Sequence, residues 1–121
     1  MLQAYQQILT RFAEQGVTWV QLDEPVLAAD LSGDWQEAIR HSYQFLAQHK
    51  PQSVSLLLAS YYGSIAHHHA LVSALPVEGL HLDLISDKNH LALFLATLSA
   101  DQVLSLGVIN GRNVWAADVD L

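Results

Sequence analysis

The chain has 121 residues, 51% of them hydrophobic, with no cysteine and a formal net charge of −7. Five Lys and Arg against twelve Asp and Glu leave no basic footprint for nucleic acid or an anionic membrane, and the missing thiols exclude disulfides and thiolate metal sites. The length suits one domain or part of one; no apolar run reaches the ~18–20 residues of a membrane span, the N-terminus lacks the blocks of a signal peptide, and the absence of cysteine fits the reducing cytoplasm that is the expected setting.

Residues 2–15 read as a helix, with Leu2, Tyr5, Ile8, Leu9 and Phe12 on one stripe. Gly16 is placed to end it as a left-handed cap. "VTWVQL" follows as a strand rich in β-branched and aromatic residues. A turn at "LSGDW" leads into a helix over 34–49, capped by Ser32 or Asp34 and closed by Pro51, with Trp35, Ile39, Tyr43 and Leu46 facing inward. "SVSLLLAS" is a strand apolar enough to be buried on both faces. A helix over 64–75, the strand "GLHLDLI", a helix over 87–98 and the strand "VLSLGVI" complete the pattern, and "NGRNVWAADVDL" shows no clear helix.

Alternating helices and strands predict an α/β chain with a parallel sheet and right-handed crossovers. Strand starts at Val17, Val54, Leu80 and Val103 lie 37, 26 and 23 residues apart, close to the ~30-residue strand-plus-helix unit. A (βα)8 TIM barrel takes eight strands and about 250 residues, so four strands supply half of one. Half a barrel leaves two open edges and a bare sheet face. Mean hydropathy of +0.21 fits such a chain in search of cover, and a second copy packed as a homodimer is one way to supply it.

Every strand turns from apolar to polar at its carboxyl end, where parallel sheets meet their ligands. The residues there are Asp23-Glu24, Ser60-Tyr61-Tyr62, Asp83 and Asn110-Gly111-Arg112-Asn113. Asp23, Glu24, Tyr61, Asp83, Asn110 and Arg112 are therefore the candidate substrate-binding residues, with Asp23 placed to face Arg112. Capping of strand ends and loop amides is the plainer role for the same side chains. Adjacent strand residues point to opposite faces, so Asp23 and Glu24 should not share one site, and Pro25 stiffens the junction after them. In "HHH", residues 67–69, successive helical side chains stand ~100° apart, which predicts a helix surface and no shared ion. His81 is expected as a hydrogen-bonded strand histidine, and Trp19, Trp35, Tyr43 and Trp115 as core or interface.

Three segments, "WVQLDEPVL", "LPVEGLHLDL" and "LSLGVINGRNVW", together with the opening "AYQQILTRFAEQGVTWVQLDEP", resemble the amino-terminal domain of cobalamin-independent methionine synthase. The resemblance covers nearly the whole chain in one order, and "GRNVW" after "LSLG" is its most specific mark. It implies a single partial domain over 1–121, from the middle and later part of that barrel. It also implies two face-to-face (βα)8 barrels that move a methyl group from a polyglutamylated 5-methyltetrahydrofolate to homocysteine. Zinc, on His, Cys, Glu and Cys of the carboxyl-terminal barrel, activates the thiol there, and no cofactor is expected in this chain.

The two barrels of that family look like products of duplication, so the catalytic barrel's motifs can be sought here. Its "DEPALRE" corresponds to "DEPVLAA", which keeps an acid at Asp23 but has Ala29 where the last acid would stand. Its "HxC" zinc motif corresponds to "ASYYG", residues 59–63, and its "DIHSPN" to "VINGRN". The resemblance thus implies a scaffold without the methyl-transfer machinery, inactive by itself, whose partners are the rest of the synthase or a second copy. Folate or homocysteine binding at the strand ends is the other expectation.

Overall fold

A computed structural model describes residues 1–115. In chain order the elements are α1 (Leu2–Glu14), β1 (Trp19–Asp23), α2 (Gly33–His49), β2 (Ser55–Ser60), α3 (His69–Ser73), β3 (Gly79–Asp83), α4 (His90–Leu95) and β4 (Val103–Gly107), with 3-10 turns at Pro25–Ala28 and Ala66–His68. The four strands form one parallel sheet in the order β1-β2-β3-β4. Sequence order equals spatial order. A doubly wound sheet would reverse direction at a switch point; consecutive right-handed crossovers put the helices on one face, as in part of a (βα)8 barrel.

Register assigns the two faces. Val20, Leu22, Leu56, Leu58, Leu80 and Leu82 align across β1–β3 and pack on the helices with Ile39, Tyr43, Leu46, Leu71, Val72 and Phe94. On the other face Trp19 aligns with Ser55, Gln21 with Leu57, Gly79 and Val103, Asp23 with Ala59, His81 and Ser105, and Asp83 with Gly107. Two glycines allow this face to pack tightly. A Cβ on Gly79 would lie 2.8 Å from Leu57 Cδ1, and one on Gly107 would lie 2.9 Å from His81 Nε2.

Local chemistry explains the ends. Gly16 takes φ +81°, and Val17 N–H reaches back to the Phe12 carbonyl at 3.0 Å, closing α1 as its glycine predicts. Ser32 Oγ accepts from Trp35 N–H at the start of α2. At the amino end of the sheet, Lys50 Nζ meets Glu78 Oε1 at 2.8 Å, and Glu78 Oε2 accepts Leu56 N–H at 2.7 Å.

Several expectations need correction. Of the α1 stripe only Leu9 is buried, and Tyr5, Ile8 and Phe12 are exposed because no element among the described residues covers that side of the helix. Trp35 is 62% exposed, since the first turn of α2 projects beyond the core. Trp19 and Trp115 are likewise open to solvent, so of the four aromatics expected as core or interface only Tyr43 is a core residue, and the other three keep the interface half of that expectation. The expected helix over 64–75 divides into a 3-10 turn and the short α3, and that over 87–98 shrinks to α4. The last six residues of "NGRNVWAADVDL" lie outside the described residues.

Candidate functional site

The carboxyl ends of β2, β3 and β4 converge on a groove of about 470 Å³ lined by Tyr61, Tyr62, His81, Asp83, Asn110 and Arg112. Apolar side chains of the β4 exit, Leu106 and Ile109 among them, complete its wall. Four of the six sequence candidates therefore meet in one place. The other two, Asp23 and Glu24, line a second hollow of about 350 Å³ at the outer edge of β1, with Tyr5, Leu22, Tyr43 and Leu46.

The two carboxylates border the same hollow, contrary to the expectation that they would not share a site, but they bond in different directions, as adjacent strand residues do. Asp23 Oδ2 accepts from Tyr61 O–H at 2.8 Å and its Oδ1 from Gln21 Nε2 at 2.7 Å. The Gln21 amide first, and then the Tyr61 hydroxyl, hold the Asp23 carboxyl below its ordinary range. The same bond to Asp23 pushes the Tyr61 phenol up. Glu24 turns the other way, to Tyr43 O–H at 3.0 Å. Burial pushes the Glu24 carboxyl up despite that bond, and burial together with the Glu24 charge pushes Tyr43 up, so the phenol remains the donor.

Asp83 organises the floor of the groove. Its Oδ1 accepts Ile85 and Ser86 N–H at 3.0 and 3.1 Å, and its Oδ2 accepts the Ser86 hydroxyl and, at 3.4 Å, Tyr62 N–H. Burial opposes its charge, but these donors outweigh it and draw the carboxyl down. Tyr62 reaches Asp83 from a left-handed backbone, φ +76°, which costs a non-glycine residue about 1 kcal/mol. That cost is offset by the Asp83 bond and an edge-on contact with Tyr61, ring centroids 4.8 Å apart. Asn110 Oδ1 accepts Arg112 N–H at 3.1 Å, folding the β4 exit into a tight Asx turn.

The expected pairing of Asp23 with Arg112 does not form: Asp23 is held by Gln21 and Tyr61, and the two residues line different hollows. Sequence reasoning placed Tyr62 at a strand end without making it a candidate, and it missed His81 as a groove residue. His81 Nδ1 lies 2.9 Å from Ser105 Oγ, and its ring lies over Gly107, so the strand-histidine reading holds but the side chain also faces the groove. The signal available was the small pair Ser105 and Gly107, which leaves room for an imidazole once the register is known.

The histidine run is also more structured than a surface run. His68 is buried, and it and His67 both bond the Ala29 carbonyl, while His69 turns to Thr97. Behind the groove, the buried His90 accepts Ile65 N–H on Nε2 at 3.0 Å, with Ser64 Oγ also 3.0 Å away. Ser64 donates instead to Asp87 at 2.7 Å, which draws the Asp87 carboxyl down. Ser64, His90 and Asp87 thus tie the β2 exit to α4. The serine proton points at the acid, so this is no nucleophilic triad.

The donor set does not fit the zinc site that the family resemblance places in the other barrel. The sequence holds no thiol, and among the described residues no three His, Asp or Glu side chains gather as a metal cluster. No described helix is long and apolar enough to cross a membrane.

Comparison with known proteins supplies the family. A family model described as "Cobalamin-independent synthase, N-terminal domain" matches residues 1–121. A 5-methyltetrahydropteroyltriglutamate–homocysteine methyltransferase of Shewanella oneidensis is 64% identical over 121 residues, which is 100% of this chain and 16% of the relative. Proteins of the same name from Acidithiobacillus ferrooxidans and Burkholderia thailandensis are 52% and 45% identical over 120 residues, 99% of this chain and 15% of each relative. The chain thus spans about one-sixth of the length of these relatives. On the strength of a match along its whole length, the chain belongs to the N-terminal domain family of the cobalamin-independent synthases.

Proposed function

We propose that this chain is a scaffold portion of a cobalamin-independent methionine synthase, cytoplasmic, contributing to methyl transfer from 5-methyltetrahydrofolate to homocysteine without performing it alone. In this reading its four strands are middle and later strands of the N-terminal barrel, and its natural neighbours are the remaining strands and a zinc-bearing barrel. The supporting observation is the 64% identity along the entire chain to a protein named for that reaction. The composition supports it: the thiol-activating zinc that the resemblance implies rests partly on Cys ligands, and this sequence has no cysteine. The strand-end acids are engaged by neighbouring residues, Asp23 by Tyr61, Glu24 by Tyr43 of α2 and Asp83 by the loop after β3, rather than directed together at a substrate.

The test is an assay of the purified chain with homocysteine, zinc and methyltetrahydrofolate triglutamate. Background rates are expected; turnover above them would overturn the inactive-scaffold reading. Exposed apolar side chains at both sheet edges, Trp19 on β1 and Val103 and Leu106 on β4, further support self-association as a two-fold dimer. Light scattering at high concentration should report the dimer mass, and a monodisperse monomer would remove that part.

A second reading rests on the 470 Å³ groove, whose Tyr61, Tyr62, His81 and Arg112 suit a small ligand carrying an anionic group, such as folate or an amino acid. Calorimetry with each ligand decides it. Saturable heat that disappears in Arg112→Ala and persists in Asp23→Ala would place the ligand in the groove rather than in the hollow beside β1.

A further inference from the structure

We propose that two copies of this chain join edge to edge, β4 of each against β1 of the other, and close one eight-stranded parallel barrel whose groove is completed by Asp23 of the second copy. The proposal rests on the self-association part of the proposed function and deepens it: a second copy takes the place of the remaining strands. Among the described residues β1 pairs only with β2, and β4 only with β3. Each side of the sheet therefore presents a row of unused backbone N–H and C=O groups. The strands all run in one direction. A two-fold axis along them sets β4 parallel to the partner's β1 and repeats the joint on the far side. Only this joint between unlike edges leaves no edge open.

The helices are complementary in the same sense. In the chain β1, β2 and β3 each lie between two helices, whereas β4 follows α4 and precedes no helix among the described residues. One helix is spare at the other end: α1 stands ahead of β1 with Tyr5, Ile8 and Phe12 exposed. At the joint, α1 of one copy lies over β4 of the other. Its stripe then meets Leu106, 44% exposed on the helix side of β4, and Leu95 of α4, 58% exposed. The hollow beside β1, lined by Tyr5, Leu22 and Asp23, receives the partner's Val108, itself exposed. Covering the half-open apolar side chains of α1, β1, α4 and β4 removes roughly 600 Å² per copy before strand backbones are counted, near the ~800 Å² per partner of a stable interface.

The register of the sheet already leans toward closure. The row through Trp19 and Ser55 continues to positions 77 and 101, yet β3 and β4 begin two residues later, at Gly79 and Val103. A barrel of this class closes with a total stagger of about eight residues, so each copy supplies about four, and the drift has the sense required. Completing it sets Ser105 opposite the partner's Trp19, Gly107 opposite the partner's Gln21 and Ile109 opposite the partner's Asp23. Inward-facing residues then meet inward-facing ones, and Ser105 and Gly107 are small enough to admit the indole and the amide. The partner's Asp23 arrives beside the β4 exit that carries Arg112. Opposite charges face each other across the joint, and the groove gains an acid that its own copy holds in a different hollow.

The experiment uses the 121-residue chain, whose lack of cysteine lets introduced thiols report contacts without interference. In the closed register Val103 stands opposite the partner's Val17, but within one copy the two lie three strand spacings apart, at least about 14 Å, too far for a disulfide. Val17→Cys and Val103→Cys chains are mixed and oxidised, and mass is followed by sedimentation in about 0.15 M salt, which screens the −7 on each copy. A dimer mass is expected, with the mixed disulfide prevailing over either self-linked species. Ile8→Glu, on an exposed position of α1, should weaken the dimer about tenfold or more, whereas His41→Glu on α2, away from both joints, should not. Circular dichroism checks that both variants fold. Self-linked dimers in excess, a dimer that Ile8→Glu leaves intact, or masses that keep growing with concentration overturn the closed barrel while self-association stands. A monomer at every concentration ends both.

Discussion

The middle strands and the outer strands are written in nearly the same alphabet, yet they live in different surroundings. In β2 and β3, Leu56, Leu58, Leu80 and Leu82 are at most 2% exposed. In β4, Leu106 aligns with Leu82 on the same face and is 44% exposed. On β1, Trp19 shares a row with Ser55 and stands equally open. An apolar strand residue becomes core only when a neighbour exists on each side and a helix lies above it. The outer strands have one neighbour fewer, and their apolar residues are written for contacts that these 115 described residues do not make.

The sharpest way to break the comparison is to truncate the aligned leucines. Leu58→Ala should lose about 2–5 kcal/mol of unfolding free energy in urea, because the cavity it leaves is walled on all sides. Leu106→Ala should lose less than about 1 kcal/mol, since water already reaches the side chain. Equal losses would mean that β4 is covered in solution, as self-association would cover it. Repeating the pair across a concentration series separates the two explanations.

Most of the scaffold was legible for this reason, and the misreadings share one cause. Period and punctuation placed all four strands to within a few residues, because β-branched and leucine-rich runs bounded by Gly, Pro and Asp have few other solutions. Ser32, Gly16 and Pro51 marked helix ends because capping is local chemistry. Periodicity also placed Tyr5, Ile8 and Phe12 on an apolar stripe, but it reports which face seeks cover, not whether cover is present. The site was half legible. The apolar-to-polar switch located Tyr61, Asp83, Asn110 and Arg112, and strand geometry gave Asp23 and Glu24 different hydrogen-bond partners although both border one hollow. Which loop meets which is set by tertiary register: Tyr61 on Asp23, His67 and His68 on Ala29, and His90 on Ile65 each bridge 25 to 39 positions. No local rule reports such a bridge.

Gly107→Ala sharpens the comparison where an outer strand is packed as tightly as a middle one. The new methyl would meet His81 Nε2 at 2.9 Å and the Leu82 carbonyl at 3.1 Å, and a loss of about 1–3 kcal/mol is expected. Adding His81→Ala should recover part of that loss, because the imidazole can be removed and the carbonyl cannot. A double-mutant cycle in urea that shows no coupling would remove the His81–Gly107 contact from the account.

Tyr43→Phe probes the hollow beside β1. It strips the half-buried Glu24 of its only side-chain donor among the described residues, for about 1 kcal/mol near neutral pH. The pH dependence has a definite sign. Burial raises the folded value for Glu24, so the folded protein holds this proton more tightly than the unfolded chain does. Stability from that proton is present in acid and lost as pH rises through the raised value. Glu24→Gln should flatten that fall in thermal melts.

Asp83 should give the opposite slope and the smallest effect, because its carboxylate is largely exposed and water screens it. Burial works against the charge, yet the Ser86 hydroxyl and the amides of Ser86, Ile85 and Tyr62 bring the folded value below the ordinary 3.8. The unfolded chain therefore binds the proton first as acid is added. The stabilisation is complete above the ordinary value and disappears as pH falls through the lowered one. Asp83→Asn retains an acceptor for the loop but cannot titrate, so its melting temperature should fall less steeply in acid than that of the wild type. Parallel acid limbs would mean that the loop after β3 is held by its backbone turn alone, and that Asp83 is free to meet a ligand in the groove.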